Sequence, residues 1–147
     1  MVLVKDMLKA LHKEDREIIT IDETKSIIVA AKLMRDHNIG SLPVMSNNQV
    51  VGVISERDIV FRAVASASGT SVDRSVRAYM TTNPESVSLE TNLMDVLNLM
   101  EERNFRHVLV LEKGKLMGII SMRDVLYALM RNNELINQNL SAYIKGN

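Results

Sequence analysis

The sequence has no cysteine among its 147 residues. That absence excludes disulfides, thiolate metal sites and thiol catalysis, and it accords with a reducing cytoplasm. Net charge is lacking too: 18 basic and 18 acidic side chains cancel. A broad positive field of the kind that drives non-specific binding to nucleic acid or an anionic membrane is therefore missing. No apolar run reaches membrane-spanning length, and the opening MVLVKDMLKALHKEDRE alternates charge with apolar residues instead of forming a signal-peptide core. These absences point to a cytoplasmic protein with no membrane or nucleic-acid partner. At 46% hydrophobic and 24% charged residues, the composition is that of a globular chain.

What is present is a repeat. A shift of 66 places sets Gly52 on Gly118, Ser55 on Ser121, Arg57 on Arg123 and Asp58 on Asp124. The same shift pairs Leu33-Met34 with Leu99-Met100, Asn38 with Asn104 and Val44 with Val110, without a gap from Ile21 to Ala63. In each copy an N-cap residue, Ser26 or Asn92, precedes an apolar stripe at helical spacing: Ile27, Ala30, Ala31, Met34 and Leu93, Val96, Leu97, Met100. Asn38 and Asn104 stand where a left-handed residue closes a helix. Branched apolar runs at 42–45 and 108–111, turns at 46–49 and 112–115, and further runs at 50–54 and 116–120 predict one hairpin per copy. Short strands at 18–21 and 86–89, and a second helix starting near Ser55 or Ser121, complete β-α-β-β-α.

The predicted architecture is thus α+β: two β-α-β-β-α repeats packed by pseudo-twofold symmetry into one module, with paired clefts between the copies. The divisions are residues 1–65 for the first repeat, 66–75 for a polar linker, 76–131 for the second repeat and 132–147 for a helical tail. In that tail Ile136, Leu140, Tyr143 and Ile144 form an apolar stripe. The approach to the first strand is longer in copy one, 17 positions from Val4 to Ile21 against 11 from Val76 to Val87.

The repeated corner, VVGVISERDIV and LMGIISMRDVL, carries the functional expectation. Ser55 with Asp58, and Ser121 with Asp124, form capping-box-like pairs that account for themselves structurally. The same corner also offers amide hydrogens to a phosphate and a carboxylate to the cis-diol of a ribose. The glycines at 52 and 118 mark either a close approach of backbone or a bulge. Arg57 and Arg123 are placed either to pair with neighbouring carboxylates or to reach phosphate, and Lys25 stands beside the first helix start. His12 and His37 lack ligand spacing, so no metal site is expected. Met34, Met100 and Met117 fall on core positions. No nucleophile-base pair, metal set or acid pair recurs with the repeat, which argues against catalysis.

From Val4 to Arg131 the chain resembles a tandem pair of CBS domains, a Bateman module, of the small stand-alone bacterial kind. The resemblance rests on VKDML and VRAYM at the openings, IGSLPVM and FRHVLVL in the middle strands, and GVISERD and GIISMRD at the corners. It implies regulatory binding of an adenosyl ligand (AMP, ADP, ATP, NAD or S-adenosylmethionine), with no cofactor required. By that resemblance Asp58 and Ser55 serve one cleft, with Gly40 and Ser41 lining the base; Asp124 and Ser121 serve the other, with Phe105 and Arg106 nearby. Arg106 and His107 stand where copy one has Gly40 and Ser41, so the cleft headed by Asp58 and faced by those two cations is the expected phosphate site. A homodimer and an unidentified effector protein are the implied partners. The alternative is a ligand-free structural dimerisation module.

Overall fold

The computed structural model describes residues 1–11, 13, 16–66 and 74–145, without the side chains of 134–136 and 139–145. His12 and the tail stripe at Ile136, Leu140, Tyr143 and Ile144 therefore lie outside the described residues and side chains. In chain order the elements are α1 (Val4–Ala10), β1 (Ile21–Asp22), α2 (Ile27–His37), β2 (Ser41–Ser46), β3 (Gln49–Ser55), a π-helical segment (Asp58–Val64), α3 (Val76–Tyr79), β4 (Thr81–Thr82), β5 (Ser86–Val87), α4 (Leu93–Arg103), β6 (His107–Glu112), β7 (Lys115–Ser121) and α5 (Met122–Lys145).

The chain divides into two compact units, residues 17–85 and residues 1–16 with 86–147. In the unit of residues 17–85, β1 runs parallel to β2, β2 and β3 form the hairpin, and β4 adds an antiparallel edge to β3. Helix α2 starts where the Ser26 hydroxyl accepts the Val29 N–H at 3.2 Å, and it stops at Asn38 in the left-handed conformation (φ 51°). Its stripe residues Ile27, Ala30 and Met34 pack with Ile21, Leu42, Val44, Ile54, Ala63 and Val76 in one core. Two consecutive left-handed residues, Asn47 and Asn48, close the hairpin with the twist that antiparallel strands favour.

The other unit repeats the plan. Strand β5 runs parallel to β6, β6 and β7 form the hairpin, and Asn92 and Asn104 cap α4 as Ser26 and Asn38 cap α2. Lys113 and Gly114 supply the left-handed pair in the turn. Leu93, Val96 and Met100 pack with Val108, Val110, Ile120 and Val125.

Sequence repeats and compact units cut the chain differently. The opening helix α1 contributes Val4, Met7 and Leu8 to the core built from the second copy. It is stitched there by backbone: the Val4 N–H donates to Thr91 O and the Lys5 N–H to Leu89 O, both at 2.9 Å, while the Leu93 N–H donates to Val2 O at 2.9 Å. The opening of the second copy does the same for the first: the Val76 N–H donates to Lys25 O at 2.8 Å, the Arg77 N–H to Glu23 O at 3.1 Å, and the Ile27 N–H to Arg74 O at 2.7 Å. Each unit is too small to cover its apolar surface alone, and each borrows a lid from the other repeat.

The repeated glycines lie beneath these lids. A Cβ on Gly52 would come within 2.7 Å of Thr81 O and 2.8 Å of Met80 Sδ, while at Gly118 the nearest atom is Leu8 Cδ2 at 4.0 Å. Each glycine also adjoins a register shift, Val44/Met45 opposite Gly52 and Val110/Leu111 opposite Gly118, so close approach and bulge coexist at Gly52 and the bulge stands alone at Gly118.

Several expectations are corrected. Strands β1 and β5 are shorter than 18–21 and 86–89, covering only Ile21–Asp22 and Ser86–Val87. Strand β4 has no counterpart in the sequence reading, because Thr81 and Thr82 owe their conformation to the edge of β3 and not to any local alternation. The second helix of copy one winds as a π-helix, with the Ala65 N–H reaching Val60 O, whereas α5 runs unbroken from Met122 to Lys145. The end of the linker is not a free connector, since Ser75 bridges Ser26.

Candidate functional site

Each hairpin ends in a corner made by the same bonds. Ser41 stands opposite Ser55 across β2 and β3, and the Glu56 N–H donates to Gly40 O at 2.9 Å, so the chain leaves the sheet at a fixed angle. His107 stands opposite Ser121, and the Met122 N–H donates to Arg106 O at 2.8 Å. The corner thus brings Gly40, Ser41, Ser55 and Asp58 together in one unit, and Arg106, His107, Ser121 and Asp124 in the other. Ser41 is buried, and Gly40 lies under the Glu56 carboxylate, whose Oε1 is 3.2 Å from where a Cβ would stand.

Both aspartates close a reciprocal cap. Asp58 Oδ2 accepts the Ser55 N–H and the Ser55 hydroxyl, each at 2.9 Å, while the Asp58 N–H donates to Ser55 Oγ at 3.1 Å. Asp124 Oδ2 accepts the Ser121 N–H at 3.0 Å, and the Asp124 N–H donates to Ser121 Oγ at 3.1 Å. The bonds accepted by each carboxylate converge on Oδ2 and orient it. The capping reading of the motif is realised in full, and it leaves Oδ1 of each acid outside the cap.

The corners differ in their surroundings. At Asp58 the cation among the described residues is Arg62, one helical turn on, with Nη1 3.7 Å from Oδ1 and a half-exposed side chain. At Asp124 the ammonium of Lys13 donates to Oδ2 at 2.7 Å. Partial burial works against the charge of Asp124, but Lys13 and the Ser121 bonds outweigh it and hold the carboxyl below its ordinary range. Lys13 is the residue that sequence reasoning missed; it is 111 positions from Asp124, in a charged run that reads as a solvated face.

The remaining expected site residues differ in their surroundings. Among the described residues Arg57 pairs with no carboxylate; its guanidinium lies 5.3 Å from the centre of the Phe61 ring. Arg123 and Arg106 are exposed, Phe105 is half-buried, and His107 is half-buried and already engaged in an interaction of its own. Lys25 is exposed, its backbone tied to Asp22 and Val76. A cavity of about 520 Å³ opens beside the first corner, lined by Met34, Arg35, Ile39, Gly40, Glu56 and Ile59 among others; of the expected site residues only Gly40 reaches it. Among the described residues no group of three or more His, Asp or Glu side chains is placed to hold a metal ion, and no helix is long and apolar enough to cross a membrane.

This doubled hairpin with its acid-capped corner defines a class. The CBS domain family model matches residues 4–64 and 76–131, and the chain belongs to the CBS-domain family as a tandem pair. An uncharacterised 17.7 kDa protein of Acidianus ambivalens is 40% identical over 116 residues, covering 78% of this chain and 68% of that one. A CBS domain-containing protein of Arabidopsis thaliana is 28% identical over 127 residues, and there the chain spans 23% of the relative's length. Among solved structures, a CBS-domain-containing protein of Agrobacterium tumefaciens superposes with a TM-score of 0.78 at 35% identity, covering 86% of this chain and 98% of that one. A CBS domain pair solved with 5'-methylthioadenosine and S-adenosylmethionine has a TM-score of 0.76 at 25% identity (90% and 98% covered). A structure of CBSX2 with AMP has a TM-score of 0.69 at 26% identity (78% and 90% covered).

Proposed function

We propose that this chain is a cytoplasmic sensor of adenosyl ligands, taking AMP, ADP, ATP, NAD or S-adenosylmethionine and passing the signal to an effector protein without catalysing a reaction on them. The observation that carries the reading is the Asp58 carboxylate, fixed by two hydrogen bonds to Oδ2 while Oδ1 stays outside the cap. A fixed carboxylate with a spare acceptor suits a ribose hydroxyl, and relatives solved with AMP or with S-adenosylmethionine support the class of ligand. The Ser55 hydroxyl donates to that carboxylate, and Ser41 stands opposite Ser55 across the hairpin. Binding would act by favouring one arrangement of the module over another, to the extent of its differential affinity for the two.

The test is thermal. A ligand that binds the folded state raises the melting temperature with concentration. AMP, ATP, NAD and S-adenosylmethionine are each titrated to millimolar levels against the wild type and Asp58→Ala. At least one is expected to raise the wild-type melting temperature progressively and to lose that effect in Asp58→Ala. If none does, the sensor reading is wrong.

A second reading has its own support. The second helices present matching apolar stripes, Val60, Phe61 and Val64 on one and Leu126, Tyr127 and Met130 on the other, each 43% to 64% exposed. We infer that they seat a second copy, making a homodimer. Dimerisation accompanies sensing in the first reading and stands alone in a ligand-free scaffold; the melting series separates the two.

A further inference from the structure

Resting on the sensor reading, we propose that Lys13 closes the second corner to ribose, so that one chain takes one adenosyl ligand, at Asp58. The Lys13 ammonium sits 2.7 Å from Asp124 Oδ2, the atom that also accepts the Ser121 N–H. Both side chains are under a third exposed, 29% and 22%, which screens the pair less than a surface ion pair. A diol grips a carboxylate best through both oxygens, and here one of them is saturated by a charge. To displace the ammonium, a ribose would offer neutral hydroxyls and leave a partly buried lysine without its partner.

The first corner has no such guard. Among the described residues the cation at Asp58 is Arg62, at 3.7 Å, on a side chain 51% exposed that can turn to water. On Oδ2 its second donor is the Ser55 hydroxyl, a rotor that can release the oxygen without stranding a charge. The asymmetry is built into the chain: Lys13 lies in the longer of the two approaches, and a shift of 72 places, which sets Val4 on Val76 and Leu8 on Met80, puts Glu85 in its position. At the equivalent distance from its opening, the second copy carries an acid where the first carries the lysine.

Isothermal titration calorimetry with AMP, and separately with S-adenosylmethionine, tests the assignment by stoichiometry. The wild type is expected to bind one ligand per chain, Asp58→Ala none, Lys13→Met two, and Lys13→Met/Asp58→Ala one. Lys13→Arg, which keeps the charge, is expected to stay at one. Lys13→Gln replaces Lys13→Met should the latter fail to melt cooperatively. Two ligands on the wild type, or one on a cooperatively melting Lys13→Met protein, overturns the guard while leaving the sensor reading intact. No binding of either probe to any of the folded variants removes the sensor reading itself, and the guard with it.

Discussion

At the scale of the residue, the two serine-aspartate pairs do structural work whatever they bind. Removing a cap of this kind costs about 1 kcal/mol, so Ser55→Ala is expected to lower stability by that amount in urea unfolding, as is Ser26→Ala, which caps α2 away from the corner. The ion pair at Asp124 adds a pH dependence. Its carboxyl is depressed in the folded state, so the unfolded chain binds more protons at acid pH and stability rises with pH. The contribution is complete above the unfolded carboxyl value of about 3.9 and disappears as pH falls through the depressed folded value. Acid titrations of unfolding should therefore show a limb in that window that Lys13→Met weakens; equal limbs in the two proteins would contradict the pairing. Little of this was legible in the sequence. Ser55 and Asp58 announce their cap by spacing, but Lys13 reaches Asp124 only through the fold, and nothing in KALHKED distinguishes it from its neighbours.

Among the elements, helices α2 and α4 and both hairpins were readable, because each is fixed locally: a cap residue, a stripe at helical spacing, an asparagine at the stop and two left-handed residues in the turn. Strand β4 was not, since it exists only by pairing with β3. The two repeated glycines, alike in sequence, make different demands. Gly52→Ala drives a methyl into the Thr81 carbonyl at 2.7 Å, where nothing flexible can yield, and overpacking of this kind costs about 1–3 kcal/mol. Gly118→Ala meets only Leu8 at 4.0 Å and is expected to cost measurably less. Paired denaturant curves for the two variants check the difference; equal losses would mean that β4 does not press on Gly52.

Across the whole molecule, the register of the repeat fixed the fold class, while the exchange of opening segments left no mark in it. VKDML and VRAYM read as the first turns of their own copies, and only the cores of the two units assign them to the opposite ones. Met7 is fully buried among residues of the second copy. Truncating such a side chain costs about 2–5 kcal/mol, and Met7→Ala is expected to lose amide protection in β6 and β7 before β2 and β3. Hydrogen exchange resolved by residue decides it, and loss confined to β2 and β3 would refute the exchange.

The crossed lids also govern the order in which a ribosome can finish the two halves. Residues 17–85 hold everything their core requires and can close as soon as Met80 and Thr82 have left the exit tunnel. Helix α1, made before any of them, must wait with Val4, Met7 and Leu8 uncovered until the hairpin of residues 107–121 has been synthesised. Helix α1 is therefore made early and sheltered late, its apolar side chains waiting for a core that lies some hundred residues further along the chain.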